Sequence, residues 1–91
     1  MTGTVWKFPI PFEDEFEIEM PREAELLCVN TSPDSVGEQG ALWARVVPSR
    51  TREKRRFRLR GTGHQIDLDC KYVGSFMMRR PFIFHLFEVI Q

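Results

Sequence analysis

Apolar and polar residues alternate with a period of two through most of this chain, in short runs broken by proline, glycine and small polar residues. Residues 4–10 set Trp6, Phe8 and Ile10 on one face, and Pro9 marks an edge strand or a strand end because proline cannot donate a ladder hydrogen bond. In residues 15–20, Phe16, Ile18 and Met20 alternate with Glu15, Glu17 and Glu19, which predicts a half-buried strand with an acidic outer face, closed by Pro21. Residues 24–30 are apolar on both faces after Glu25, as expected of a central strand. A loop rich in Ser, Pro, Asp and Gly follows to residue 40. Residues 41–47 predict another strand, stopped by Pro48, and residues 49–54 an exposed connection. Alternation resumes in residues 56–60, with Phe57 and Leu59 inward and Arg56, Arg58 and Arg60 outward. Gly61-Thr62-Gly63-His64 breaks that strand, and residues 65–70 read equally as a short strand or an irregular loop. Residues 72–78 predict a strand with a possible bulge at Gly74, Arg79-Arg80-Pro81 a turn, and residues 82–90 a last, strongly apolar strand. No segment carries a helical period. The expected fold is all-β: a small antiparallel sandwich or open barrel of six to seven short strands, forming one domain over residues 1–91.

Composition adjusts this picture in three respects. With 42% apolar residues the chain has the content of a folded domain, and eight phenylalanines are an efficient filling for a small core. No apolar run approaches the roughly 20 residues that span a bilayer, and the first residues show no basic stretch followed by an apolar one, so a cytosolic protein without a membrane partner is expected. The two cysteines, Cys28 and Cys70, lack metal spacing and lie among apolar residues, where buried free thiols are expected.

Net charge is zero, but its distribution is uneven. Residues 1–40 carry two basic and nine acidic side chains, and residues 41–91 eleven basic and four acidic, so the halves stand at −7 and +7. Segregation of this kind points either to pairing between the halves or to an anion-binding surface. From Arg50 to Arg60, seven of eleven residues are basic and Glu53 is the only acid. Guanidinium groups bind phosphate bidentately and keep their charge, and on one strand face Arg56, Arg58 and Arg60 would lie about 7 Å apart. Glu15, Glu17 and Glu19 have the same period, so a cross-strand ladder between the two rows competes with an anion site.

Directly after the arginine strand, Gly61, Thr62, Gly63 and His64 offer a tight turn whose amides, hydroxyl and imidazole can face an anion. Trp43 is either core or a platform for a nucleobase. His85, between Phe84 and Leu86, reads as a satisfied, half-buried side chain. The serines lack a nucleophile-elbow pattern, no phosphate-binding loop is present, and no zinc spacing occurs, so no enzyme, metal or cofactor is expected.

Several stretches carry a resemblance: Val5-Trp6-Lys7-Phe8-Pro9-Ile10, Ile18-Glu19-Met20-Pro21, Leu42-Trp43-Ala44, Arg60-Gly61-Thr62-Gly63-His64 and His85-Leu86-Phe87-Glu88. Together they resemble an uncharacterised family of short proteins of tailed bacteriophages. The resemblance implies a phage gene acting in the host bacterial cytoplasm, and it implies no activity and no catalytic residue. In that setting the expected function is non-catalytic binding of a small anionic ligand, such as a cyclic nucleotide or an ADP-ribose derivative. The protein would then be a sponge for a nucleotide immune signal, built as a homo-oligomer. Arg56, Arg58 and Arg60 would hold phosphates, Gly61, Thr62 and Gly63 would offer the turn, and His64 or Trp43 would contact a base. A protein-interaction module acting on a host protein or in self-assembly is the competing reading, and a virion component stays open. Zero net charge and a pI near 6.7 argue against nucleic acid as a partner.

Overall fold

Seven strands follow one another: β1 (Thr4–Ile10), β2 (Glu15–Pro21), β3 (Glu25–Thr31), β4 (Gly40–Val46), β5 (Arg52–Gly61), β6 (Cys70–Met78) and β7 (Phe82–Val89). They are seen in a computed structural model that describes residues 1–36 and 38–90. They form two antiparallel sheets, one ordered β1-β4-β3 and the other β2-β5-β7-β6. Each sheet buries the face that its alternation makes apolar. Ile10, Val29, Leu42, Ala44 and Val46 come from the first sheet; Phe16, Ile18, Met20, Phe57, Leu59, Phe76, Met78 and Leu86 come from the second. Phe57 is fully buried near the middle and stacks on Phe16, with ring centroids 5.9 Å apart. The thinnest dimension, 16 Å, is that of two layers. The fold is therefore a sandwich, not a closed barrel.

Three expectations are corrected. Residues 24–30 do not form a central strand: β4 is central in its sheet and β3 lies at the edge. The run is apolar on both sides because a bulge between Leu26 and Cys28 inserts Leu27, so that Leu26 and Val29 both face inward while Leu27 stays 45% exposed. For the same reason Cys28 is exposed, not buried, and Cys70 is half-buried; both are free thiols. The stretch read as an exposed connection also ends early, since β5 begins at Arg52. Residues 65–69 form an irregular connection, and the bulge expected at Gly74 lies between Tyr72 and Gly74.

Close approach of the two sheets explains two glycines. A Cβ at Gly40 would run into the buried ring of Phe76, and one at Gly74 into Val29 Cγ2. At one open end of the sandwich, Arg55 reaches from β5 to Glu88 on β7 with Nε–H donating at 2.6 Å and Nη2–H at 2.9 Å, while Nη1–H donates to the Ala24 carbonyl at 2.7 Å. Both side chains of this pair are only 18% exposed, so it acts as a strut between β5, β7 and the β2–β3 turn.

Candidate functional site

The arginine row lies on the outer face of the four-stranded sheet, next to the acidic row. In register, Glu15 faces Arg58, Glu17 faces Arg56 and Glu19 faces Lys54. Arg56 is ion-paired with Glu15, and Arg58 approaches the same carboxylate at 3.7 Å. The cross-strand ladder weighed in the sequence is thus present at its Glu15 end. Arg56 holds Glu15 below the usual carboxylate range, chiefly by its hydrogen bond.

Arg58 has further partners. β5 and β6 run parallel in the same sheet with β7 between them, so residues 62–69 must travel back the length of the sheet. They return along its outer face. Arg58 ties this strap down through Asp69 at 2.8 Å, Asp67 at 3.3 Å and the Cys70 thiol at 3.1 Å, and its side chain is only 12% exposed. Asp69 is held below its ordinary value by the Cys70 thiol first and then by Arg58. Burial pushes the Cys70 thiol up, so little of it is thiolate near neutral pH.

Arg60 differs from its neighbours. Its Nε–H donates to the Gln65 carbonyl at 3.1 Å, and Nη1–H to the carbonyls of Asp14 at 2.7 Å and Leu59 at 3.0 Å. No carboxylate lies within 4 Å of it among the described residues, so it forms no ion pair there.

The turn beyond it has the geometry its glycines allow. His64 N–H donates to the Gly61 carbonyl at 3.1 Å, and Gly63 at the third position has φ 92°, which glycine adopts without steric cost. A Cβ at Gly63 would meet nothing within 4 Å, which marks the turn as open. Gly61 N–H donates to His64 Nδ1 at 3.2 Å, so in the neutral ring Nε2–H is the donor left to solvent. His64 also borders a groove of about 410 Å³ lined by Leu59, Phe84 and Phe12 and by the acidic pair Glu13 and Asp14. Phe12 packs edge-on against Phe84 at 5.3 Å, with the Arg79 guanidinium 4.4 Å from its ring.

On the other side of the turn, Thr62 meets a group of residues that the sequence did not bring together. Thr62 Oγ1 lies 2.8 Å from His85 Nε2, His85 Nδ1 lies 2.7 Å from Ser75 Oγ, and Ser75 Oγ lies 2.8 Å from the Tyr72 hydroxyl. Register makes this possible: Arg60, His85 and Ser75 stand side by side on β5, β7 and β6. His85 is half-buried and satisfied, as its apolar neighbours suggest. Ser75 and Tyr72 had no signal in the sequence: three residues apart, they have opposite parity under simple alternation, and only the bulge between Tyr72 and Gly74 places both beside the outward row of β7.

Trp43 lies elsewhere. It sits on the outer face of the three-stranded sheet, opposite Lys7 and Cys28 in register, and lines an apolar depression of about 480 Å³ with Val5, Leu27 and Cys28. The structure does not bring it to the arginines. No group of three or more His, Cys, Asp or Glu side chains suited to a metal ion occurs among the described residues, and no helix there is long and apolar enough to cross a membrane.

The whole chain, residues 1–91, matches the family described as a domain of unknown function (DUF7352), and it belongs to that family. No curated protein and no solved structure matches it.

Proposed function

We propose that this member of the DUF7352 family is a non-catalytic binding protein that captures a small anionic ligand where Arg60, the Gly61–His64 turn and His85 meet. The observation that carries the reading is the contrast within the arginine row. Arg56 and Arg58 are spent on carboxylates of the chain, whereas Arg60, at the strand end that leads into the open turn and the exposed Thr62 hydroxyl, bonds only to carbonyls. Guanidinium, hydroxyl and turn amide are donor types that suit an oxyanion, and Arg60 is the arginine of the row that forms no ion pair among the described residues. Arg56 and Arg58 thereby leave the candidate ligand set, Arg56 as the partner of Glu15 on β2 and Arg58 as the fastening of the strap. In the phage setting that the resemblance implies, the ligand would be a nucleotide signal of host immunity, a cyclic nucleotide or an ADP-ribose derivative. Stoichiometric capture in the host cytoplasm by a homo-oligomer would suffice without catalysis.

Native mass spectrometry against a panel of cyclic dinucleotides, cyclic trinucleotides and ADP-ribose derivatives tests this. Retention of one compound at a fixed ratio, lost in Arg60→Gln and kept in Arg56→Gln, is the expected result. Retention of none, or equal loss in both variants, contradicts it.

One observation favours a second reading, a protein-interaction module. The apolar depression around Trp43 and Leu27 lies on the face away from the arginines, and contact there would need no small ligand. A Trp43→Ala variant that lowers the oligomer mass or releases a bound protein, with ligand retention absent throughout, would favour it.

A further inference from the structure

We infer that Tyr72, Ser75, His85 and Thr62 act as one hydrogen-bond relay that reads two ends of the same ligand, an oxyanion beside Thr62 and a hydroxyl beside Tyr72. The ligand would then be a phosphorylated sugar, free or as the ribose phosphate of a nucleotide. The inference rests on the binding reading above and narrows it.

The argument follows from proton count. A neutral imidazole has one N–H, so one of its nitrogens donates and the other accepts. Both His85 nitrogens are engaged, at 2.8 and 2.7 Å, by hydroxyls that can play either part. Two arrangements are therefore open to the chain. In the first, Nε2–H donates to Thr62 Oγ1, which frees the Thr62 O–H to point outward. Nδ1 then accepts from Ser75 O–H, Ser75 Oγ accepts from Tyr72 O–H, and the Tyr72 oxygen is left outward as an acceptor. In the second, every bond reverses: Thr62 presents an acceptor to the outside and Tyr72 presents a donor.

The surroundings of the Thr62 end choose between them for a bound anion. Arg60, without an ion pair, stands in register beside His85, and the Gly63 N–H has no acceptor among the described residues. An oxyanion held there requires the Thr62 O–H as a donor, and this selects the first arrangement. The far end must then accept, so a ligand group at Tyr72 is favoured when it donates. Tyr72 is exposed at 57%, and its ring is fixed edge-on against Phe87 at 5.8 Å, so its hydroxyl is both reachable and placed. From Arg60 on β5 to Ser75 on β6 is two strand spacings, roughly 10 Å, a span suited to a pentose phosphate.

The test is a titration of the ¹⁵N-labelled protein with ribose 5-phosphate, adenosine 5′-monophosphate, inorganic phosphate and ribose, following the His85 ring nitrogens and the dissociation constants. Both sugar phosphates are expected to drive His85 to the Nε2–H tautomer and to bind about tenfold more tightly than phosphate, the equivalent of one good hydrogen bond. Ribose alone is expected not to bind measurably. Tyr72→Phe should erase the tenfold difference while keeping phosphate affinity, which also shows that the variant is folded. Thr62→Val should weaken both. A preference confined to the adenosine compound would place the selectivity in the base and overturn the sugar assignment. Phosphate binding with no sugar preference, or a His85 that carries its proton on Nδ1 when the sugar phosphate is bound, overturns the relay and leaves the anion site standing. Failure of all four compounds to bind removes the binding reading and the relay with it.

Discussion

Arg56, Arg58 and Arg60 leave one strand face at one spacing, yet each has a different task, set by what stands within reach. Arg56 meets a glutamate across the strand pair, Arg58 fastens a returning strap through two aspartates, and Arg60 meets only carbonyls. The carboxylates of the first two give a pH signature. Glu15 and Asp69 both titrate below their ordinary values in the fold. Groups depressed in this way contribute stability above their unfolded values, and the contribution is lost as pH falls through the folded ones. Thermal midpoints should therefore fall as pH drops below about 4, and Glu15→Gln combined with Asp69→Asn should flatten that decline. An unchanged slope in the double variant would show that these pairs do not support the fold. Arg58→Ala should loosen the strap selectively, read as faster hydrogen exchange over residues 64–69 with the β4 and β5 core amides still protected. Loss of protection throughout the sandwich would contradict that assignment.

Among the elements, strands were legible where one face is buried and a proline or glycine ends the run. Phe16-Glu17-Ile18-Glu19-Met20 and Phe57-Arg58-Leu59 declare both their existence and their inner faces. Partners were not legible, because period-two alternation says which face is buried and nothing about which strand lies alongside. That is why an acidic and a basic row of equal period left two readings open until the β2–β5 register was seen. It is also why Ser75 and His85, ten residues apart, gave no sign of sharing a hydrogen bond. β3 shows a different failure: two-sided apolarity suggested two-sided burial, but the inserted Leu27 changed the parity and placed Cys28 outside. A thiol reagent should accordingly label Cys28 rapidly in the native protein and Cys70 slowly, the latter being half-buried with its ionisation opposed by burial. Equal rates at the two thiols would contradict this placement of β3.

For the molecule as a whole, a thin two-layer core leaves little margin. Phe57→Ala removes a fully buried ring at its middle and should cost about 3–5 kcal/mol, enough to threaten folding of a domain this size. Gly74→Ala should also lower the thermal midpoint, since Val29 of the opposite sheet occupies the space a methyl would need. A midpoint unchanged in Gly74→Ala would contradict the sheet separation described here. These demands on the core and strap account for most of the chain's conspicuous residues. What they leave over is a small polar end, Arg60, Thr62, His85, Ser75 and Tyr72, on a face otherwise charged or apolar. The turn at that end was legible from Gly61 and Gly63, and the absence of an ion pair at Arg60 was not, because ion pairs depend on partners brought by the fold.

The most direct test of the central claim is a map of backbone amides that move in ¹H–¹⁵N spectra when a sugar phosphate is added. The account predicts shifts concentrated at residues 60–64, Ser75 and His85, with the amides around Trp43 and those of residues 50–54 unmoved. Shifts centred on Trp43, or spread along the basic run in proportion to its charge, would contradict it.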